Sequence, residues 1–373
     1  MVVFGTRPEA IKLCPLVIEL KKHRDSFHVV TCVTAQHRQM LDQVLDIFSV
    51  KPDYDLNLMK EDQTLHHITT SVLTRLDAIL KHENIDMVIV QGDTTTTFAA
   101  ALASYYNRVG VGHVEAGLRT WDKFAPYPEE MNRKLTTALA DIHFAPTSQN
   151  RDNLLAEGVP AEKIIVTGNT VIDALIMVRN RIREEGREFT QLSGIDSNRR
   201  VILVTGHRRE SFGQGFIDLC NALKEIAMRN PEVDIVYPVH LNPNVRKPVM
   251  AILSELSNVK LLEPMEYEPF VSLLDRSFFV ITDSGGIQEE APSLGKPVLV
   301  TRDKTERPEA LASGAVKLVG TSRERIVAEA SQILEDPLIY QKMSIIQNPY
   351  GDGHACERII NALVHHCTHE IDL

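Results

Sequence analysis

Asp93, Glu115 and Glu129 are the side chains in this sequence best placed to move a proton. Asp93 follows the apolar run 87–91 and precedes the threonines 94–97. Glu115 follows the run 111–114, with Ala116 and Gly117 behind it. Glu129 follows Pro128 at the end of a turn-rich stretch, 121–128. An apolar run that ends in a polar residue reads as a buried strand reaching the rim of a parallel sheet, where ligands bind. If the first two runs are neighbouring strands, a spacing of about 4.8 Å puts Asp93 and Glu115 within roughly 5–10 Å of each other. Each acid also has a plainer role open to it. Asp93 can cap the helix that follows, Glu115 can pair with Arg119, and Glu129 can complement a helix dipole. Three acids in strand-exit loops of one region read together as acid/base equipment.

The second chemistry is anion binding. Val2-Val3-Phe4 leads into Gly5-Thr6-Arg7, and the run 201–204 leads into Thr205-Gly206-His207-Arg208-Arg209. Each is a strand ending in glycine and then in cations, which suggests two sheets facing one cleft that takes an anion. The run 278–283 leads into Ser284-Gly285-Gly286, whose amides and hydroxyl suit a diphosphate. Glu290, a turn further on, is placed for ribose hydroxyls. Arg7-Pro8-Glu9-Ala10 recurs as Arg307-Pro308-Glu309-Ala310. Proline favours the first helical position, so each arginine stands at a helix entrance beside unpaired amides, a setting that holds anions. The dinucleotide fingerprint is missing: Gly110-x-Gly112 is followed by Glu115, and Gly213-x-Gly215 by Asp218. Neither Gly5 nor Gly206 opens a Walker motif, so bound NAD and P-loop phosphoryl transfer are both disfavoured.

These residues need a scaffold, and 373 residues exceed what one core organises, which predicts two domains. Apolar runs at 29–33, 87–90, 111–114, 142–145, 164–166, 201–204, 235–238, 259–262, 278–282 and 297–300 alternate with helix-length segments. That alternation argues for parallel α/β layers. The charged stretch 179–200 reads as a helix and an inter-domain loop. The formal net charge of −10 disfavours nucleic acid and anionic membranes as partners. No segment has the apolar length of a membrane span or the pattern of a secretion signal. Five cysteines without a CxxC pair fit reduced thiols in a cytoplasm. His113 shares a strand face with Glu115 but lacks further ligands, and His365, His366 and His369 fit a helix end better than a metal site.

The segments 4–12, 34–38, 91–97, 112–120, 128–130, 166–175, 204–213, 238–245 and 282–300 closely resemble the non-hydrolysing bacterial UDP-N-acetylglucosamine 2-epimerases, and the likeness runs on to 348–353. There are two departures. The chain begins a few residues inside the usual first strand, and Met265 stands where the family carries Gln, at a contact to the base. The resemblance implies a glycosyltransferase-B-like fold of two Rossmann-like domains. The first, 1–167, carries the acids, the second, 168–356, binds UDP, and a helix at 357–373 packs back on the first. It implies interconversion of UDP-N-acetylglucosamine and UDP-N-acetylmannosamine for surface polysaccharide, with no metal, no cofactor and a homodimer. Arg7, Lys12, His207, Met265, Phe270, Ser284, Gly285, Gly286, Glu290 and Arg307 are the implied UDP contacts. Asp93, Glu115 and Glu129 are the implied catalytic acids, the first two also touching substrate, and His207 is counted with them. A second substrate molecule acts as activator, and Gln36, Gln39, Arg209 and His240 are its implied contacts.

The chemistry is consistent with the residues. The sugar's C2 proton has no adjacent carbonyl, so a carboxylate alone does not remove it easily. Departure of UDP from C1 builds cationic character next door and acidifies that proton. The UDP is then held for return by the arginine, histidine and glycine cradle. A glycosyltransferase would need an acceptor, a hydrolysing epimerase would release UDP, and a nucleotide-sugar sensor would not need three acids.

Overall fold

A computed structural model of the chain describes residues 1–35, 38–59, 63–208 and 212–370, the last four of these by backbone alone. The chain folds as two compact units: Met1–Ala174 with the segment from Tyr350 onward, and Leu175–Pro349.

The first unit is built on a seven-stranded sheet in the order β3-β2-β1-β4-β5-β6-β7, with every pairing parallel. Its strands are β1 (Val2–Phe4), β2 (Thr31–Val33), β3 (Tyr54–Asp55), β4 (Met87–Gln91), β5 (Gly110–Val114), β6 (Ile142–Ala145) and β7 (Ile164–Val166). The helices between them are α1 (Arg7–Lys22), α2 (Arg38–Phe48), α3 (Leu65–His82), α4 (Thr95–Tyr106), α5 (Glu129–Leu139) and α6 (Ser148–Ala156). Strands covered on both faces read as continuous apolar runs, as Val2-Val3-Phe4 and Val88-Ile89-Val90 do, all buried. On one face Val3, Val88, Val90 and Val111 pack against Ile68, Val72 and Leu76 of α3 and the alanines of α4. Ala99, Ala100, Ala101 and Ala103 are buried, and such small side chains let α4 lie close to the sheet.

The second unit repeats the plan with six strands in the order β10-β9-β8-β11-β12-β13, again all parallel. They are β8 (Arg200–Thr205), β9 (Val233–Pro238), β10 (Val259–Leu262), β11 (Phe279–Thr282), β12 (Val298–Val300) and β13 (Val316–Leu318). Ile202, Val204, Ile235, Tyr237 and Ile281 meet Leu219, Leu223 and Ile226 of α8 (Gln214–Arg229) and Val245 and Val249 of α9 (Pro243–Leu253). Both sheets follow the doubly wound order, in which the chain reverses its direction of travel between two central strands.

The division between units falls inside α7 (Thr170–Glu185) rather than at 167/168, and the chain rejoins the first unit at Tyr350 rather than 357. Hydrogen bonds account for the shift. The Asn169 amide donates to the Tyr350 carbonyl (2.7 Å). The Asp173 carboxylate accepts from the amides of Ala355 (3.2 Å) and Cys356 (2.8 Å), the first residues of the C-terminal helix Ala355–Glu370. Desolvation by burial raises the Asp173 carboxyl above its ordinary value, while those amides oppose the rise. Among the described residues no helix is long and apolar enough to cross a membrane. Cys14, Cys32, Cys220 and Cys356 are free and buried.

Candidate active site

In the first unit the strand order reverses between β1 and β4, so a ligand site is expected beyond their carboxyl ends. Gly5 follows β1 because no side chain fits there: a Cβ would stand 2.0 Å from Thr34 Oγ1 and 2.9 Å from Thr96 Oγ1. Arg7 is the first residue of α1 and is half-buried. The expectation of open amides beside it needs correction. The amides of Gly5 and Thr6 donate to Glu9 Oε2 at 3.1 and 2.8 Å, so a carboxylate of the protein already holds them. Glu9 Oε1 accepts from the Thr94 hydroxyl (2.7 Å) at the β4 exit, with the Thr97 hydroxyl at 3.2 Å. Glu9 is buried, and that desolvation raises its carboxyl above the ordinary range against the pull of these donors. One buried acid thus pins the two central exits together. Thr6-x-x-Glu9 is a capping-box spacing, so its local half was legible in the sequence; its reach to Thr94 was not.

Asp93 and Glu115 lie just beyond the ends of β4 and β5, and Glu129 opens α5. Strands β4 and β5 are neighbours, with Gln91 opposite Val114. Glu115 leaves β5 with φ 62°, a left-handed backbone that non-glycine residues seldom adopt. Gly92 (φ 72°) passes close by, and a Cβ on it would stand 3.3 Å from Glu115 Oε2. Lys12 Nζ donates to both Glu115 oxygens (2.6 and 2.7 Å), Gln91 Nε2 to Oε2, and Asn169 Nδ2 to Oε1 (3.0 Å). Arg119, four residues on, is the plain partner open to Glu115 in the sequence. Arg119 instead binds Glu157 through Nε (2.9 Å) and Nη2 (2.6 Å). Lys12, implied as a UDP contact, is here the counterion of Glu115.

Asp93 and Glu129 are linked through α5. Arg133 donates twice to Asp93 Oδ2, at 2.9 and 2.6 Å, and Asn132 Nδ2 donates to the Asp93 carbonyl (2.9 Å). Glu129 opens the same helix one turn earlier, and its Oε2 is buried without a hydrogen-bond partner. Arg133 Nη1 also reaches Glu130 (3.1 Å), whose carboxylate accepts from the amides of Thr120 and Trp121. Burial opposes the charge on Glu130, but those amides and Arg133 outweigh it and hold its carboxyl below the ordinary range. Arg133 and Asn132 therefore fix α5 on the β4 exit. No motif in the sequence marked either of them.

In the second unit the reversal lies between β8 and β11. Asp283, buried at the end of β11, accepts from the amides of His207 (2.7 Å) and Arg208 (2.8 Å) on Oδ2. The Tyr237 hydroxyl donates to the Gly206 carbonyl (2.9 Å), so the β8 exit is held from two sides. His207 remains 47% exposed. Ser284 precedes α11 (Gly285–Ser293), and its hydroxyl makes no capping bond. A Cβ on Gly285 would lie 3.8 Å from the guanidinium groups of both Arg208 and Arg307, and one on Gly286 3.7 Å from Glu290 Oε1. The glycine turn thus has two cations and Glu290 close around it. Arg307 stands at the entrance of α12 (Pro308–Ser313) without a side-chain capping bond and donates through Nε to buried Glu289, a pairing not legible in the sequence. Met265 lies between β10 and α10 (Tyr267–Arg276), and Phe270 lies within α10; both are half-buried.

Of the implied activator contacts, His240 is exposed and stacks on His207, with centroids 5.3 Å apart and planes at 13°. Gln39 is exposed in the first turn of α2. Gln36 and Arg209 lie outside the described residues. Among the described residues no group of His, Cys, Asp and Glu is arranged to hold a metal ion.

Comparison with known proteins bears on this geometry. A family model described as UDP-N-acetylglucosamine 2-epimerase matches residues 19–364. The UDP-N-acetylglucosamine 2-epimerase of Salmonella typhimurium is 58% identical over 367 residues, covering 97% of each chain. Among solved structures, the UDP-GlcNAc 2-epimerase from Neisseria meningitidis bound to UDP-GlcNAc matches with TM-score 0.88 and 51% identity, over 98% of this chain and 99% of that one. The Methanocaldococcus jannaschii enzyme in complex with UDP-GlcNAc and UDP matches with TM-score 0.77 and 32% identity, over 98% and 99% of the two chains. The fold class is α/β with two Rossmann-like domains, glycosyltransferase-B-like as in these neighbours.

Proposed function

We propose that this chain, which belongs to the UDP-N-acetylglucosamine 2-epimerase family, interconverts UDP-N-acetylglucosamine and UDP-N-acetylmannosamine by inverting C2 of the sugar. The observation that carries the reading is the set of three acids around the β4 and β5 exits, each held differently. Glu115 has donors on both oxygens. Asp93 takes both Arg133 bonds on Oδ2, so its Oδ1 is the oxygen available to substrate, and Glu129 Oε2 is uncommitted. Asp93 and Glu129 are therefore assigned the proton at C2, and Glu115 with Lys12 supplies fixed charge beside them.

The C1–O bond breaks with its electron pair leaving on UDP, and one carboxylate takes the C2 proton as the C1–C2 double bond of a glycal forms. UDP stays bound by His207, Arg307 and the glycine turn. It then re-adds at C1 while a carboxyl group returns a proton to the opposite face of C2. Preorganised donors at the departing diphosphate are the largest electrostatic aid to such a step. The product is an amino-sugar nucleotide for surface polysaccharide. The activating second substrate molecule fits His240, because a ligand on that ring would be felt at His207 beneath it. Sedimentation tests the homodimer that family likeness implies.

Proton NMR of UDP-N-acetylglucosamine in heavy water with EDTA-treated, nucleotide-stripped protein is the direct test. Exchange of the C2 proton and appearance of the second epimer are expected. Asp93→Asn and Glu129→Gln are expected to slow exchange by about 10²–10⁴-fold, the usual contribution of a general acid or base, while UDP still binds. A C2 proton that survives long incubation with wild-type protein would refute the reading.

A further inference from the structure

The β8 exit holds an unbalanced pair. Asp283 is 1% exposed, and its Oδ2 is satisfied by the amides of His207 and Arg208. Its Oδ1 is buried with no hydrogen-bond partner and lies 3.7 Å from Nδ1 of His207. A buried carboxylate oxygen left unpaired is costly, and a half-exposed imidazole has room to close that gap. Other charges nearby do not supply the missing donor. Arg208 points its guanidinium toward Glu306 (3.7 Å), His240 is stacked face-on against His207, and the Tyr237 hydroxyl is spent on the Gly206 carbonyl.

We infer that Asp283 fixes His207 with a proton on Nδ1, so that binding of the nucleotide sugar at this histidine draws a proton from solution. The inference rests on the proposed function, in which His207 meets the diphosphate. A carboxylate oxygen only accepts, so the ring nitrogen facing it must carry hydrogen. A neutral imidazole has one such hydrogen. With Nδ1 protonated, Nε2 presents a lone pair, which repels phosphate oxygens. The ring donates to the diphosphate through Nε2 only as the cation, protonated on both nitrogens. The proton bound is thus set between two anions, the Asp283 carboxylate and the diphosphate. His240 and Arg208 oppose that extra positive charge, and Asp283 offsets them. Asp283 is a positioning residue in this account: it acts on the ligand through His207.

The test is proton uptake. The whole protein is mixed with saturating UDP-N-acetylglucosamine in weak buffer containing a pH indicator, at several values between about pH 5 and 8, the range in which imidazole changes charge. Both epimers carry the diphosphate as a diester, so turnover itself moves no net proton. Wild type is expected to take up a proton, approaching one per site where the free ring is neutral. Asp283→Asn keeps an acceptor oxygen for the two amides and offers an N–H to Nδ1, which permits the neutral tautomer with hydrogen on Nε2. It is expected to bind with no uptake and with affinity that no longer varies with pH. His207→Gln, which donates through a neutral amide, is likewise expected to show none. Uptake undiminished in Asp283→Asn overturns the inference, and so does absence of uptake in a wild type that binds. If Asp283→Asn does not fold, uptake persisting in His207→Gln overturns it instead. Wild type that neither binds nor exchanges the C2 proton refutes the proposed function; wild type that epimerises without uptake refutes this inference alone.

Discussion

Replacing Lys12 by Met removes one positive charge from beside Glu115. Met keeps an unbranched stem, so α1 retains its packing. Lys12 Nζ lies 2.6 and 2.7 Å from the two Glu115 oxygens, and the side chains are 19% and 10% exposed. A hydrogen bond to a charged group contributes about 1.5–3 kcal/mol, and losing a fully buried ion partner costs about 3–5 kcal/mol. Both side chains keep some water contact, so the lower range applies. Gln91 and Asn169 still donate to Glu115 after the change, which keeps the carboxylate from being orphaned. If Lys12 serves the acid, the loss falls on turnover, by about 10–100-fold at 1.4 kcal/mol per factor of ten. UDP affinity should then change by less than about twofold, since no phosphate contact is lost. Exchange of the C2 proton followed by NMR gives the first quantity and calorimetric titration with UDP the second. A tenfold loss of UDP affinity with turnover intact would return Lys12 to the diphosphate and refute its assignment to Glu115.

Two further outcomes follow from particular distances and burial. Gly286→Val should leave thermal stability nearly unchanged, because a Cβ there meets only Glu290 Oε1 at 3.7 Å and Ser284 Oγ at 4.0 Å; UDP affinity measured by titration should fall by about tenfold or more as the backbone loses its approach to the ligand. His113 is buried with Nε2 on the Gly92 carbonyl (2.8 Å), and desolvation lowers its pKa to about 3. The unfolded chain therefore binds a proton there that the native state refuses, and stability is lost as pH falls from about 6.5, at about 1.4 kcal/mol per unit. His113→Gln should lower the slope in acid denaturation by that amount, leaving the share of His143, whose pKa burial lowers to about 4, whereas an identical pH dependence in the variant would show the acid lability to lie elsewhere.

The strands that carry the candidate site were legible because they are continuous apolar runs. Val2-Val3-Phe4, the run ending at Gln91 and the run ending at Thr282 each end in the polar residues now found at the sheet rims. Strand β3 was not legible, being only Tyr54 and Asp55 at a sheet edge. Strand β13 was hidden in Val316-Lys317-Leu318, too short for a periodic signal and shortly after α12, which Gly314 terminates. Candidate residues were legible as types at strand exits, but their partners were not. Nothing in the sequence tells that Glu115 takes Lys12 rather than Arg119, since the choice depends on α1 lying beside β4, the neighbour of β5. Arg133 and Asn132 are equally silent, because their role exists only once α5 rests on Asp93.

The repeated Arg-Pro-Glu-Ala shows how a sequence echo can mislead about a structural repeat. Matching the two strand orders sets β8 against β1, β11 against β4 and β12 against β5. Arg7 follows β1, but Arg307 follows β12, so the two copies occupy non-equivalent exits. The positions that do correspond look unlike in sequence. At the first reversal Glu9, from the helix after β1, takes amides of its own exit and a hydroxyl from the β4 exit. At the second, Asp283, from the end of β11, takes the amides of the β8 exit. Each unit closes its strand reversal with one buried carboxylate, supplied from opposite partners of the central pair. The physical demand is shared: two exits with open amides must be held together without a side chain filling the space a ligand needs. A buried acid bonded to backbone N–H groups meets that demand from beneath, and Arg7 and His207 are left at the rim. The shared feature is therefore an arrangement of donors and one acceptor. It can be read from hydrogen bonds, while the recurring tetrapeptide marks two helices that begin with proline in the first turn at exits that do not correspond.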